Sequence, residues 1–364
     1  MKTVVVVGGG VIGLATAWRA ARQGVSVTVI DPAPGTKASH ASAGMLPGHS
    51  GQLYDQEELL RLCLASRDLI PSFFAELEEF APSGFRRDGV LDAAFDEDAL
   101  RDLDQQHAFQ ESLGIRTERL TPEECAKLQP AFGPVLAGVL MPDDGAVDPR
   151  VLQPALITAI EALGGTVIRR GATRVEDHTV VLDNGDKVPF DRVVLAAGCW
   201  THQIEGLPEG AIPEIRPVKG QILRLHSDTP LLNLTSRALS TGGASLYLVP
   251  RLDGELVIGS TYEEAGYDET VTAEGTQSLL ARVTKVIPGA GSLRFAEISA
   301  GLRPASPDGL PVMGPTVVPD VYMASGHFRM GVQLTPITAS IMASYLTDTT
   351  PHESAAPFSP LRFA

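Results

Sequence analysis

A glycine-rich turn within the first 31 residues constrains the fold of this chain more than any other feature. The β-branched run Val4 to Val7 leads directly into Gly8-x-Gly10-x-x-Gly13. Residues 11–22 then have a helical composition, and residues 25–30 alternate as a second strand that ends at Asp31. This order predicts the β–α–β unit with which a doubly wound parallel sheet begins.

The residue types of this unit suit the binding of a dinucleotide. Gly8 permits a sharp turn, Gly10 lets the backbone approach a pyrophosphate, and Gly13 lets the helix pack closely against the strand. The helix N-terminus offers unpaired N–H groups to the phosphates. Asp31, 18 residues beyond Gly13, can accept hydrogen bonds from ribose hydroxyls. The predicted cofactor-binding residues of this segment are Gly8, Gly10, Val11, Ile12, Gly13, Asp31 and Pro32.

Charge and cysteine content exclude several classes of partner. The chain has 29 Lys and Arg residues against 44 Asp and Glu, a net charge of −15, and it has no basic run. This argues against nucleic acid or an anionic membrane surface as partner. The three cysteines are far apart, so they predict neither disulfides nor a metal site and indicate a reducing cytoplasm. No apolar run is long enough to span a membrane, and a secretion signal over residues 4–18 explains the ordered glycines less well than a nucleotide turn.

Three later segments have patterns typical of segments in which the chain comes back to a dinucleotide site. Residues 32–50 are rich in small side chains where a simple NAD domain would begin another helix, and a flexible surface loop is the alternative. Residues 191–198 form a buried strand that ends in Ala-Gly, and residues 321–331 form a strand that breaks into a glycine-flanked loop. An NAD-dependent dehydrogenase would leave the two later returns unexplained.

In this order the motifs resemble those of the D-amino-acid oxidase superfamily, and most closely its glycine oxidase branch, the thiamin-pathway flavoenzymes. The resemblance covers essentially the whole chain. Beside the opening glycines it rests on Pro217-Val-Lys-Gly-Gln221, Tyr247-Leu-Val-Pro-Arg251 with Gly254 and Val257-Ile-Gly-Ser-Thr261, Ala300-Gly-Leu-Arg303-Pro, and Gly326-His-Phe-Arg329.

The resemblance implies FAD, bound non-covalently, as the cofactor. Sarcosine oxidases attach the flavin through a cysteine at the place that Gly301 occupies here. The glycine oxidase pattern has asparagine where this chain has Met330, so we expect a polar group to be missing near the flavin or the substrate. By resemblance the further cofactor-binding residues are Ser39, His40, Ala43, Gly44, Met45, Val175 (through its backbone, to adenine), Gly198, Gly326, His327, Arg329, Met330 and Gly331.

The same resemblance implies three catalytic residues. Arg303 would clamp the substrate carboxylate, since an arginine fork binds carboxylates bidentately; an internal salt bridge is the alternative. Tyr247 would donate a second hydrogen bond to that carboxylate, unless it only packs in the core. Arg329 would line the active site in a loop that contacts the flavin, and a surface salt bridge is its alternative.

The implied reaction is FAD-dependent oxidative deamination of glycine or of small D- or N-methyl amino acids. Hydride transfer from Cα to flavin N5 would give an imino acid, which water hydrolyses to an oxo acid and ammonia or an amine. Dioxygen, the expected acceptor, would become hydrogen peroxide. A dehydrogenase that passes electrons to a quinone or carrier and a non-catalytic flavin-binding subunit are the alternatives. The preferred amino acid and assembly as a homo-oligomer stay open.

The predicted fold class is α/β, with a doubly wound parallel FAD-binding sheet and a second, α+β substrate domain on an antiparallel or mixed sheet. The FAD-binding domain is assigned residues 1–50, 148–215 and 300–364, and the substrate domain residues 51–147 and 216–299. Helices are predicted at residues 57–80 (interrupted at Pro71), 100–113, 151–163 and 276–287, with a capping box at 121–124. Strands of the second sheet are predicted at residues 221–225, 245–249, 256–260 and 293–298.

Overall fold

Two sheets of different character organise the computed structural model, which describes residues 2–47, 56–240 and 245–364. The helices of this part of the chain are α1 (Val11–Arg22), α2 (Ala38–Ala41), α3 (Glu57–Leu77), α4 (Glu97–Ser112), α5 (Pro122–Leu128), α6 (Pro149–Ala162), α7 (Ala273–Val286) and α8 (Thr335–Leu346). None of these described helices is both long and apolar enough to cross a membrane.

The strands of the described residues are β1 (Thr3–Val7), β2 (Ser26–Ile30), β3 (Met45–Leu46), β4 (Phe85–Arg86), β5 (Val90–Ala94), β6 (Glu118–Leu120), β7 (Ala137–Met141), β8 (Gly145–Val147), β9 (Thr166–Ile168), β10 (Ala172–Glu176), β11 (Thr179–Leu182), β12 (Lys187–Pro189), β13 (Arg192–Leu195), β14 (Arg216–His226), β15 (Thr235–Leu239), β16 (Leu246–Pro250), β17 (Glu255–Gly259), β18 (Arg294–Ala305), β19 (Val312–Pro315) and β20 (Val321–Ser325).

The first sheet has six strands in the order β19-β20-β13-β1-β2-β9. The neighbours from β20 to β9 are parallel, and β19 is antiparallel at the edge. β1 lies inside the sheet because its valines are buried on both faces. Val4 and Val6 pack against α1, α6 and α8, whereas Val5 and Val7 face a small antiparallel sheet of β10, β11 and β12. The parallel sheet predicted from the opening glycines is confirmed.

The second sheet has eight strands in the order β18-β14-β17-β16-β15-β5-β7-β6. Its neighbours are antiparallel except β15 and β5, which are parallel. α7 covers one face, where Leu279 and Val283 pack on Leu223 and Leu225 of β14. Successive side chains of a strand point to opposite faces, so Ile222 of β14 lies on the other face, which is available as a cavity wall. The mixed sheet of an α+β unit is confirmed.

Some predicted elements differ from the observed ones. The predicted interruption at Pro71 is wrong, because α3 continues through this residue. Pro71 is exposed, so water can solvate the carbonyl of Arg67 that loses its helical partner. β14 and β18 are longer than predicted, because they pair with each other along nearly their whole lengths. The capping box at Thr121 and Glu124 is present as predicted.

Two features bear on the predicted domain boundaries. β18 runs through residue 300, which the prediction takes as the start of the last FAD-binding segment. α3 is assigned by the prediction to the substrate domain, but its Leu62 and Phe73 belong to the core around α1 and α8. We propose that α3 belongs with the six-stranded sheet and the whole of β18 with the eight-stranded one.

Candidate active site

A cavity of about 1150 Å³ is lined by residues of both large sheets. The predicted site residues that line it are Gly8, Gly10, Val11, Ile12, Asp31, Pro32, Ser39, Ala43, Gly44, Met45, Gly198, Tyr247, Arg303, His327, Arg329 and Gly331. Those that do not line it are Gly13, His40, Val175, Gly326 and Met330. The cavity therefore brings the opening glycines and the late arginines to one space.

Glycine occupies the three opening positions for different structural reasons. Gly8 has a φ of +116°, and a Cβ there would overlap the carbonyl oxygen of Ala196 at the end of β13. A Cβ at Gly13 would overlap the carbonyl oxygen of Gly8, so this glycine lets α1 pack against the turn. Gly10 is different, because the nearest atom to its Cβ would be Ser39 Oγ at 3.5 Å. The absence of a side chain at Gly10 therefore leaves open space in the cavity and is not needed for the packing of the protein itself.

The N-terminus of α1 is suited to bind an anion. Gly10 is its N-cap residue with φ −74° and ψ 172°, and neither a capping side chain nor an acidic residue occupies its first turn. The N–H of Val11 donates to Ser39 Oγ at 3.1 Å. The helix end therefore presents N–H groups and the positive end of its dipole to the cavity, as a pyrophosphate requires.

The carboxylate of Asp31 also stabilises the glycine turn. Its Oδ2 accepts from the N–H of Gly9 at 2.6 Å, and its Oδ1 accepts from the N–H of Ala33 at 2.8 Å. Asp31 lines the cavity. Because each carboxylate oxygen can accept more than one hydrogen bond, Asp31 keeps acceptor capacity for a ribose hydroxyl.

The small-residue segment is ordered where the structure describes it. It contains α2 and then β3, whose Met45 pairs with Ala146 of β8. Regular structure at residues 38–41 and 45–46 argues against a surface loop there, and residues 48–50 lie outside the described part. His40 lies away from the cavity, and its carbonyl accepts from Arg150 Nε at 3.4 Å. Burial, followed by the charge of Arg150, lowers the pKa of His40.

The structure does not place Val175 at the cavity, where the prediction expects an adenine contact. The N–H of Val175 donates to the carbonyl of Glu205 at 2.9 Å, and its side chain packs in the core behind β13. Gly171, Ala172 and Thr173 line the cavity instead. Thr173 precedes Val175 by two residues on the same strand, and the backbone contact of Val175 with adenine stays a prediction.

Met330 is a core residue. Its side chain is 5% exposed and packs in the cluster around α1, α3 and α8, with its Sδ 4.0 Å from Cys63 Sγ. Burial raises the pKa of the Cys63 thiol to about 12, so the thiol stays protonated and behaves as an apolar neighbour. The expectation that Met330 removes a polar group from the cavity wall is therefore corrected: the substitution lies in the packing behind that wall.

His327 lines the cavity as a neutral side chain. It is 3% exposed, and its Nε2 lies 3.0 Å from Thr338 Oγ1 of α8. Burial lowers its pKa to about 3. The imidazole is therefore uncharged at neutral pH and does not act there as an imidazolium acid.

We expect this histidine to make folding stability fall in acid. An unfolded histidine titrates near 6.5, so between pH 6.5 and 3 the unfolded state binds a proton that the folded state does not, and stability falls with decreasing pH. Between pH 7.5 and 5.5 the loss attributable to His327 is about 1.4 kcal/mol. Urea unfolding of the wild type and His327→Gln at both pH values measures it, and an equal loss in both proteins would contradict the assignment.

Arg303 is a cation whose described partners are neutral. Nη1 donates to the carbonyl of Lys219 at 3.1 Å, and Nη2 donates to Ser260 Oγ at 2.8 Å and to the carbonyl of Thr261 at 3.0 Å. No carboxylate of the described residues forms an ion pair with it, which excludes the internal salt bridge within those residues. Burial lowers the pKa of the guanidinium, yet arginine stays charged. A Cβ at Gly220 would overlap Nη2, which explains a glycine in the motif of residues 217–221.

Tyr247 and Arg329 line the same cavity as Arg303. Tyr247 lies on β16 directly opposite Gly259 of β17, and Ser260, a partner of Arg303, follows Gly259 in the chain. Tyr247 and Arg329 are both close enough to Arg303 to change its pKa. The structure therefore brings together the three residues that the resemblance implies as catalytic.

The family model for FAD-dependent oxidoreductases of the DAO type matches this chain over residues 3–345. The chain belongs to this family. The glycine oxidase of Geobacillus kaustophilus is 30% identical over 98% of this chain and 96% of its own length. The crystal structure of that glycine oxidase superposes with a TM-score of 0.89, covering 99% of this chain and 98% of that one.

A longer relative is the bifunctional protein ThiO/ThiG of Synechocystis sp., which is 33% identical over 99% of this chain. The chain spans 54% of that protein's length and 53% of two further bifunctional relatives. The match to this DAO-family chain therefore covers about half of each of these proteins.

The cavity fits the FAD of the DAO family. The open space at Gly10 and the N-terminus of α1, whose first turn has no acidic residue, suit a pyrophosphate. Gln333, which the sequence argument did not single out, is buried at the cavity wall, and its amide makes no hydrogen bond within the described residues. A polar cofactor would supply the partner that this amide lacks. The sequence feature that could have indicated this residue is a glutamine next to the long apolar run of α8.

Proposed function

We propose that this protein oxidises small amino acids at the bond between Cα and the amine, with FAD as the electron acceptor. The observation that carries the proposal is the charge of Arg303. Its described partners are all neutral, and it lines the cavity that begins at the nucleotide-binding glycines. A substrate carboxylate would supply the negative charge that this half-buried cation lacks.

The residues of the chain orient the substrate, while bound FAD supplies a two-electron acceptor. Arg303 binds the carboxylate, and the hydroxyl of Tyr247 donates a second hydrogen bond to it. Two attachments on one carboxylate fix the direction of the neighbouring Cα–H bond. Arg303 and Tyr247 are thus positioned to set both the affinity and the reactive geometry of an amino acid.

The charges of the site also favour the reactive form of the substrate amine. Arg303 and Arg329 both line the cavity, and the charge of Arg329 contributes to the pKa of Arg303. Two guanidinium groups disfavour a nearby ammonium ion and lower the pKa of the amine. The neutral amine has the lone pair that assists loss of hydride from Cα, so no side-chain base is needed.

The names of the relatives support glycine as a substrate and dioxygen as the final acceptor. The products would be an oxo acid, ammonia and hydrogen peroxide. Gly301 supports a non-covalent cofactor, since a Cβ there would lie 2.8 Å from the Cβ of Ala41 and leave no room for a linking cysteine.

A substrate screen of the FAD-loaded protein tests this function. We expect glycine, sarcosine, D-alanine or D-proline to bleach the flavin under anaerobic conditions, and peroxide to appear when air is admitted. Bleaching without peroxide, with turnover only on an artificial acceptor, would identify a dehydrogenase. No bleaching by any amine would contradict the proposal and leave a non-catalytic flavin-binding role.

A further inference from the structure

The cavity continues beyond Tyr247 to a second arginine, Arg237. Arg237 lies on β15 directly opposite Tyr247, and Asp92 of β5 lies directly opposite Arg237. Residues directly opposite each other on neighbouring strands share a face of the sheet. Arg237 and Tyr247 both line the cavity, so the row Tyr247–Arg237–Asp92 extends the cavity-facing surface away from Arg303.

Asp92 holds Arg237 and balances its charge. Arg237 is 6% exposed, its Nε donates to Asp92 Oδ1 at 2.6 Å, and its Nη2 donates to Asp92 Oδ2. Nη1 makes no hydrogen bond within the described residues, and it is not fully buried. The ion pair therefore leaves the Nη1 donor group of Arg237 accessible from the cavity, while the carboxylate of Asp92 balances the charge of the guanidinium.

α4, which packs against β5 and β15, also forms part of the cavity wall. Ala99, Asp102 and Gln106 line the cavity at spacings of three and four residues, which is one face of a helix. Gln106 is 8% exposed, and its buried amide oxygen accepts no hydrogen bond within the part of the chain that the structure describes. Ser240 and Ser245 also line this end of the cavity. A second unsatisfied polar group thus accompanies Arg237.

We propose that this end of the cavity is a subsite for the substrate side chain, and that it selects amino acids with a neutral hydrogen-bonding side chain, a hydroxyl or a carboxamide. The proposal rests on the proposed amino-acid oxidation. Such a group can accept a hydrogen bond from Arg237 Nη1. It can also form a hydrogen bond with the Gln106 amide, which can donate or accept.

Other side chains match this subsite less well. An aliphatic side chain would displace water and leave the Arg237 donor and the Gln106 amide unpaired, and each unpaired buried group is costly. A second carboxylate would meet a guanidinium whose charge Asp92 already neutralises, and it would lie in the same cavity as the carboxylate of Asp102. Neutral polar side chains avoid both costs.

Pairs of D-amino acids of similar size test the subsite in the FAD-loaded protein. We expect kcat/KM for D-serine to exceed that for D-2-aminobutyrate, and that for D-asparagine to exceed those for D-leucine and D-aspartate, each by about tenfold or more. Gln106→Leu is expected to lower the D-asparagine to D-leucine ratio by about fivefold, because of these two polar partners only the Arg237 donor then remains. Gln105→Leu is the matched control, since Gln105 is exposed on α4 and does not line the cavity; it should keep the wild-type ratio.

Gln106 is chosen because removal of Arg237 would leave Asp92 buried without its partner. Oxidation of glycine and D-alanine without any preference for the polar member of each pair would overturn the subsite and leave the proposed function standing. D-aspartate equal to or better than D-asparagine would also overturn it, by contradicting the charge balance. Failure of every amine to bleach the flavin would overturn both.

Discussion

Arg303→Ala is expected to lower kcat/KM for glycine and other small amino acids by about a hundredfold to a thousandfold, mainly through a higher KM. Arg303 is a half-buried cation whose described partners are two carbonyls and one hydroxyl. Its removal takes away the charge that binds the carboxylate in a cavity where solvent screens weakly. Steady-state kinetics with peroxide detection, at equal flavin content, measure the effect.

Arg294→Ala is the matched control for this variant. Arg294 lies on the same strand, β18, but it is exposed and pairs with Asp228 at the surface. Its replacement is expected to leave KM close to the wild-type value, because exposed ion pairs contribute little. An unchanged KM in Arg303→Ala would remove the carboxylate anchor from the proposed function.

Gly10→Ala is expected to weaken FAD binding by about a hundredfold while the fold is retained. The backbone of Gly10 is extended, with φ −74°, which alanine adopts without strain. The nearest atom to the new Cβ is Ser39 Oγ at 3.5 Å, an ordinary contact. The methyl group would therefore exclude the pyrophosphate and not distort the turn. Flavin content after gel filtration and titration of the apoprotein with FAD measure the loss.

Two other glycines serve as controls for this experiment. Nothing lies within 4 Å of a Cβ at Gly289, so Gly289→Ala is expected to bind FAD like the wild type. A Cβ at Gly13 would overlap the carbonyl oxygen of Gly8, so Gly13→Ala is expected to lower the thermal unfolding midpoint of the apoprotein. Wild-type FAD affinity in Gly10→Ala would show that the pyrophosphate does not approach this turn.

Short-range patterns in the chain were reliable guides to this fold. The first strand, the glycine turn and α1 occur where the sequence places them, and Thr121 caps its helix as expected. Such features depend on residues close together in the chain, since a cap or a tight turn is completed within about four residues. Their physical causes are therefore visible before the tertiary structure is known.

Which individual side chains reach the cavity is decided by packing. Val175 and Thr173 share one strand, but Thr173 lines the cavity whereas the side chain of Val175 packs in a core cluster. Met330 follows a cavity-lining arginine, yet its side chain turns toward Cys63 of α3. A one- or two-residue difference reverses or displaces a side chain, and a motif does not record that choice.

The sequence by itself determined the nucleotide-binding turn and the family, because glycine spacing and motif order are properties of the chain. Only the tertiary structure decided which polar groups share the cavity. Arg237 and Asp92 are 145 residues apart and meet through the parallel pairing of β15 with β5. Arg303 acquires its neutral partners from two segments, residue 219 of β14 and residues 260–261 after β17, which strand pairing brings together. Charge balance depends on distance in space, and distance in space is set by the register of strands that are remote in the chain.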